Sequence, residues 1–269
     1  MVATSKKAPP IVLSIAGYDP SSGAGITADI KTIAAHGCYG VSCITALTVQ
    51  STQGVKEVEP VESRLVTKTL QELISDFPIS AVKIGMLGSA EVVRAVADFL
   101  ERNTIRNVVL DPVLKSSSGA GLLLAKGVSV LRTRLLPLVD VITPNIDEAS
   151  LLTGLAIRDP QDMRAAAMRL HQMGAKMVVI TGGHLNPASD LLSWESGQQT
   201  KTFTHKKIMT RSTHGTGCAF STALACNLAT GKNLIEATRH AKQYVTLALK
   251  NAIAVGKGDG PVNHLFEKD

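Results

Sequence analysis

Short apolar runs alternate with longer amphipathic ones along most of this chain. Few folds satisfy that order except a mainly parallel sheet covered by helices on both faces. Ile11–Ala16 reads as a buried strand, Gly17–Gly25 as a turn rich in Gly, Ser and Pro, and Ile26–His36 as a helix closed by Gly37. Tyr39–Leu47 reads as a second strand, and Val82–Ile84, Val108–Leu110, Val139–Ile142 and Met177–Thr181 as further short ones. Glu62–Asp76, Ala90–Arg102 and Asp162–Met173 carry helical spacing. Asp190–Glu195 and Gln199–His205 break the alternation as a hairpin around Ser196-Gly197. Two helices finish the chain, about Thr216–Ala229 and Leu234–Val255. The expected fold class is α/β. Residues 1–10 read as a tail and 11–269 as one domain, with no repeat or linker between.

The 269 residues suffice for a full core. Aromatics are only 3%, so that core must rest on Val, Ile, Leu, Ala and Met. The net charge of +6 is scattered, without a basic stripe and interleaved aromatics, which argues against nucleic-acid binding. Cys38, Cys43, Cys218 and Cys226 form neither a CxxC pair nor a zinc-ligand spacing, so free thiols in a reducing compartment are expected. Met1–Pro10 lacks an apolar signal core, and no apolar run is long enough to span a bilayer. A cytoplasmic protein with no membrane partner is expected.

In open α/β sheets ligands gather beyond the carboxyl ends of strands, and several polar segments fall there. Thr213-His214-Gly215-Thr216-Gly217-Cys218 precedes an Ala-rich helix. Two glycines there can aim backbone N–H groups at an anion, and the helix dipole can acidify the Cys218 thiol; the bland reading is an ordinary tight turn. The Gly17–Gly25 turn brings backbone and Asp19 toward a small ligand, or is simply a mobile connection. It is not a dinucleotide fingerprint, because Ala28 stands where the third glycine belongs. Gln50, in the loop-like Thr48–Gly54, offers both donor and acceptor to a heteroaromatic edge, although most glutamines are merely solvated. Asp111 directly follows a strand and suits a hydrated Mg²⁺, or caps its own loop. Asn145 and Glu148 are spaced either for a Mg²⁺-nucleotide or for a helix capping box. Thr181-Gly182-Gly183-His184 ends another strand and can line phosphates with its amides.

Taken in order, these stretches are far more specific than any one of them. AGxDxxxGAGxxADxK at Ala16–Lys31, TxQxTxGV at Thr48–Val55, KIGML at Lys83–Leu87, DPV at Asp111–Val113, TPNxxEAxxL at Thr143–Leu152, GGH at Gly182–His184 and THGTGC at Thr213–Cys218 closely resemble the hydroxymethylpyrimidine/phosphomethylpyrimidine kinases of thiamin biosynthesis. The likeness runs from Ile11 to His264. It implies a ribokinase-like three-layer α/β/α sandwich that moves the ATP γ-phosphoryl group to a pyrimidine hydroxymethyl group and then to its monophosphate. It further implies catalytic roles for Gly215, Thr216, Gly217 and Cys218, with Cys218 as base or anion-hole member. Substrate contacts fall to Gln50, Gly17, Asp19, Met86 and Val113. ATP contacts fall to Asn145, Thr181, Gly183, Thr213 and Lys115, and metal contacts to Asp111 and Glu148. ATP and Mg²⁺ are the implied cofactors, with a monovalent cation as a further candidate, and a homodimer is the implied assembly.

The chain also departs from the family pattern. Thr181 stands where many members carry lysine, Lys115 is displaced by two positions, and Ala120 replaces an aspartate. Ser22, Thr27 and Ser51 are further changes. Thr181 keeps a pyridoxal kinase open as a second reading, against which Gln50 argues. The altered phosphate side keeps open a third, a nucleotide- or pyrimidine-binding protein with weak catalysis.

Overall fold

A computed structural model describes residues 8–116, 119–183 and 188–266, with His205 described by its backbone alone. Nine strands form one sheet: β1 (Ile11–Tyr18), β2 (Tyr39–Ser51), β3 (Gly54–Pro60), β4 (Ile79–Ile84), β5 (Val108–Leu110), β6 (Val141–Ile142), β7 (Met177–Ile180), β8 (Ala188–Trp194) and β9 (Gln199–His205). Their order is β3-β2-β1-β4-β5-β6-β7-β8-β9. The pairings from β2 through β7 are parallel, and β3, β8 and β9 add antiparallel edges. Eight helices connect them: α1 (Gly25–Ala35), α2 (Ser63–Asp76), α3 (Ala90–Arg102), α4 (Ala125–Val130), α5 (Ile146–Thr153), α6 (Pro160–Gln172), α7 (Thr216–Ala229) and α8 (Leu234–Lys250).

The continuous apolar strands alternate strictly in what they touch. Leu13, Ile15, Val82, Ile84, Leu110, Val178 and Ile180 pack on one face against α2, α3, α5 and α6. Their neighbours Val12, Ala81, Val109, Val141 and Val179 pack on the other against α1, α7 and α8. Period-2 side-chain direction in a doubly covered sheet produces these two cores and the three layers. Helix α7 is apolar nearly all round, and Ala219–Asn227 is buried without a break, as a helix sandwiched between sheet and α8 must be. Local signals set the helix starts: Ser89 caps α3, Asp159 with Pro160 opens α6, and Asn233 caps α8.

Several expected boundaries shift. β1 continues through Tyr18 and α1 begins at Gly25, so the expected Gly17–Gly25 turn is shorter. β2 runs on to Ser51 and pairs with β3, an edge strand not foreseen because Val55, Val58 and the charged residues between them bury little. The strand expected at Val139–Ile142 shrinks to Val141–Ile142 after a helical turn at Leu136–Leu138. Helix α8 stops at Lys250 instead of Val255. Ile253 and Val255 are exposed, so continuing the helix would bury nothing. Residues 251–266 instead fold back: Asn263 N–H donates to Ala248 O, and Gly258 N–H to Thr52 Oγ1.

The chain leaves β1 for β2 on one side and then crosses to β4 on the other. That is a topological switch point, where an open α/β sheet leaves a crevice at its carboxyl edge.

Candidate active site

A cleft of about 860 Å³ opens at this edge. It gathers Gly17, Asp19, Gln50, Met86, Asp111, Val113, Lys115, Asn145, Glu148, Thr181, Gly183, Thr213, Gly215, Thr216, Gly217 and Cys218, residues drawn from across the whole sequence. His184 lies outside the described residues.

One end is apolar. Met86 packs with Ala46 and Leu122, and Val55, Val58 and Val113 lean on them. Gln50 borders this wall. It sits on β2 beside a register shift at Val49/Gln50, opposite Val55, and is not in the loop expected for it. A bulge there re-aims one side chain out of the ladder. Asp19 is buried, and both its oxygens are engaged. Oδ1 accepts from Ser21 N–H and Oγ–H at 2.8 and 2.7 Å, while Oδ2 accepts from Ala24 N–H at 2.9 Å and from His214 Nε2 at 2.8 Å. Burial alone would raise this carboxyl, but the hydrogen bonds from His214, Ser21 and Ala24 together hold it below the usual range. Asp19 therefore ties the first turn to the late Thr213–Cys218 turn.

At the centre lies the start of α7. Gly215 caps it with φ +81°, and the N–H groups of Gly217 and Cys218 belong to a first turn with no intrahelical acceptors. Thr216 Oγ1–H donates to Thr213 O at 2.6 Å and fixes the entering loop. The glycine turn thus leaves amide N–H groups open at a helix terminus, where positive potential gathers. The expected acidification of Cys218 is reversed. Loss of hydration pushes its thiol up to about 12, and Asp111 and Asp29 add to the rise against the lowering effect of Lys83 and the Gly25 N–H. At neutral pH Cys218 is a thiol, suited to donating a weak hydrogen bond and not to abstracting a proton.

On the far side, Asp111 reaches across to α7. Its Oδ2 accepts from Ser221 Oγ–H of α7 at 3.0 Å, and burial raises its carboxyl. The capping box at Asn145 and Glu148 forms: Asn145 Oδ1 accepts from Glu148 N–H, and Glu148 Oε2 from Asn145 N–H, both at 2.9 Å. Glu148 still faces the cleft. Burial, then the nearby Asp111 charge, pushes its carboxyl up to about 8 despite N–H donors from Asn145 and Leu114. No group of three or more His, Cys, Asp or Glu side chains among the described residues forms a metal cage. Two buried acids that repel each other instead suit a cation completing its shell with phosphate and water, the usual habit of Mg²⁺.

Sequence reasoning missed several lining residues. Lys242 of α8 reaches the cleft, its Nζ 2.7 Å from Asp190 Oδ2, while Asp190 Oδ1 accepts from Gly182 N–H at 3.0 Å. This pair places a cation beside the Gly-Gly segment that Thr181 opens without a lysine. Val245, Thr246 and Leu249 of α8 line the same region. Beneath the floor, Lys83 and Asp29 form an ion pair with no exposed surface. A lone lysine inside the apolar run Ala81-Val82-Lys83-Ile84 was the available signal; its partner, 54 residues away, gave none.

The phosphomethylpyrimidine kinase family model matches residues 19–263. The hydroxymethylpyrimidine/phosphomethylpyrimidine kinase of Haemophilus influenzae is 46% identical over 257 residues, which cover 94% of this chain and 96% of that protein. The thiamine biosynthesis bifunctional protein of Geobacter sulfurreducens is 45% identical over 255 residues, and the match covers 95% of this chain but 52% of that protein. This chain therefore spans about half the length of the bifunctional relative. The crystal structure of Bacillus subtilis pyridoxal kinase with ADP has a TM-score of 0.87 at 33% identity, covering 96% of this chain and 98% of that one. Ordered motifs, cleft and relatives agree: the chain belongs to the phosphomethylpyrimidine kinase family.

Proposed function

We propose that this protein transfers the γ-phosphoryl group of ATP to 4-amino-5-hydroxymethyl-2-methylpyrimidine, and then phosphorylates the monophosphate to the diphosphate. The observation that carries this reading is the meeting, in one cleft, of the Gln50 amide and its apolar wall with the free N–H groups that open α7. The name of the Haemophilus influenzae relative supports it. The test supplies ATP, Mg²⁺ and either the alcohol or its phosphate and follows ADP and the phosphorylated product. Absence of turnover with both would overturn the reading.

In this mechanism Gln50 holds the heterocycle against Met86 and Val113. The amides of Gly215, Gly217 and Cys218 receive charge on the migrating phosphoryl group, while the Thr216 N–H donates to Thr213 O at 3.3 Å and shapes the turn; each well-aimed donor lowers the barrier by about 3 kcal/mol. Thr213, Lys115, Asn145, Thr181 and Gly183 line the side assigned to the triphosphate, with Lys242 as a further cation. Asp111 and Glu148 would hold Mg²⁺, which when bound would neutralise phosphate charge. Such chemistry asks for positioning more than for a strong base, which fits a neutral Cys218.

Gln50→Ala should raise the Michaelis constant for the pyrimidine alcohol about tenfold while leaving that for ATP nearly unchanged, since it removes a ring contact alone; steady-state kinetics with each substrate varied would decide. Glu148 binds its proton more tightly folded than unfolded, so stability falls as pH rises from its usual value of 4.5 toward about 8. The slope is at most about 1.4 kcal/mol per pH unit. Thermal melts without metal should therefore drop between pH 6 and 8. Glu148→Gln should flatten the drop, and a wild-type curve as flat as the variant's would refute the assignment.

A pyridoxal kinase is the second reading, favoured by Thr181 and by the Bacillus subtilis neighbour. The ratio of kcat/KM for pyridoxal and for the pyrimidine separates the two. The unbroken nine-stranded sheet supports treating residues 11–269 as one domain, and the four free cysteines suit a reducing, cytoplasmic setting. Among the described residues no helix is long and apolar enough to cross a membrane. A homodimer is the assembly we propose. Ile44, Leu47 and Val49 leave an exposed apolar stripe on β2 for a second copy, and a monomer mass by light scattering would refute it.

A further inference from the structure

His214 lies between the two turns that build the acceptor end, and its Nε2 carries contradictory contacts. It is 2.8 Å from Asp19 Oδ2 and 3.2 Å from Gln50 Nε2. The Asp19 carboxylate only accepts, so His214 Nε2 bears a hydrogen and donates it there. A protonated Nε2 cannot also accept from the Gln50 NH₂ group. Turning the Gln50 amide by half a rotation about its last bond removes the conflict. Its oxygen then faces the His214 N–H. Its nitrogen takes the place of Oε1, 3.2 Å from Thr48 Oγ1, and donates to that hydroxyl. Thr48 Oγ1 can accept because its own hydrogen already goes to Tyr18 O at 2.9 Å. Every donor in this small network now meets an acceptor, with the single His214 Nε2 hydrogen given to Asp19 and shared with the Gln50 oxygen.

The imidazole has little freedom to undo this. His214 N–H donates to Gly260 O at 3.1 Å, and Val262 N–H donates to His214 O at 3.2 Å. On the other side Gly23 presses against the ring, and a Cβ there would lie 2.2 Å from His214 Cδ2.

We propose that His214 is a positioning residue for substrate specificity: it fixes which way round the Gln50 amide stands, and so which way round the ring binds. With its oxygen toward His214 and its nitrogen toward Thr48, Gln50 keeps one lone pair and one N–H for a ligand. A 4-aminopyrimidine offers the complement, an exocyclic N–H beside a ring nitrogen acceptor. The amino group is then directed to the His214 side and the ring nitrogen to the Thr48 side. Because the hydroxymethyl group is fixed relative to that edge, the amide orientation decides where the reacting oxygen points. This rests on the pyrimidine-kinase reading above.

The test compares the aminopyrimidine alcohol with the same alcohol lacking the 4-amino group. Wild type should prefer the former. His214→Leu should lose about tenfold or more of that preference, chiefly through the aminopyrimidine. His214→Gln, whose amide nitrogen can donate to both Asp19 and Gln50, should keep most of it. An unchanged preference in a folded His214→Leu variant would overturn the proposal, and so would an equal loss of preference in both variants. A wild type inactive on the aminopyrimidine would instead sink the underlying function and this inference with it. An atomic-resolution structure of the free protein gives a readout independent of activity and of variant folding. Gln50 oxygen should face His214, and nitrogen in that place would refute the assignment.

Discussion

Gly215→Ala should lower turnover by about a hundredfold or more, the penalty expected when catalytic groups are displaced by roughly an ångström. Gly215 has φ +81°, where an L side chain is strained by about 1–2 kcal/mol. Strain is the smaller part. A Cβ at this position would lie 1.8 Å from Gly23 O and 2.9 Å from Gly23 C. Both contacts are backbone, so no side-chain rotation relieves them. The late turn must move away from the first, and the α7 amides move with it. Asp19 and His214, which bridge the same two turns, would be pulled apart as well. Gly231 provides the control. Its φ is +85°, yet a Cβ there would meet nothing within 4 Å. Gly231→Ala should therefore cost about 1 kcal/mol of stability and leave turnover intact. Kinetics and thermal melts on both variants separate backbone strain from displacement. Equal turnover in the two would remove the α7 terminus from the catalytic machinery.

The contrast between these glycines illustrates what the sequence could and could not disclose. Local chemistry was legible. Strand and helix order followed from apolar periodicity, the Asn145–Glu148 box from its spacing, and the α7 terminus from alternating glycines before an apolar run. Edges were harder. β3 reads Gly-Val-Lys-Glu-Val-Glu-Pro, with three of its seven residues charged, because a strand paired on one side at the rim of a sheet has little to bury. Gln50 looked like a loop residue for the same reason. Long-range partnerships left no trace. Asp19 and His214 are 195 residues apart, and Asp29 and Thr222 are 193 apart. Nothing in either stretch announces the other. Asp190 and Lys242 likewise acquire meaning only when β8 and α8 are placed side by side. The direction of the Cys218 shift was also out of reach. A helix N-terminus acidifies a thiol in isolation, but two buried carboxylates and lost hydration outweigh it here.

Lys83→Met should be the most destabilising single change beneath the cleft. Lys83 Nζ donates to both oxygens of Asp29 at 2.9 Å, and neither side chain has exposed surface. Ser14 Oγ–H donates to Asp29 Oδ2 at 2.6 Å and Thr222 Oγ1–H to Oδ1 at 2.8 Å, so the carboxylate is fully engaged. Burial alone would lower the Lys83 ammonium, but the Asp29 carboxylate, helped by Asp111, raises it instead. Removing the lysine strands a carboxylate in the core, which costs about 3–5 kcal/mol when one partner of a buried pair is lost. For a chain of this size each kcal/mol moves the midpoint by about 2–4 °C, so melting should fall by roughly 6–20 °C. Lys83→Met with Asp29→Asn leaves no unpaired charge and should recover much of that loss. Turnover should not recover with it. Lys83 is also the cation that lowers both the Asp111 carboxyl and the Cys218 thiol, and no neutral pair replaces that field. Melting curves and kcat measured on the single and double variants therefore diverge if the charge serves the cleft. If the double variant regains both stability and turnover, Lys83 acts only as a counter-ion for Asp29.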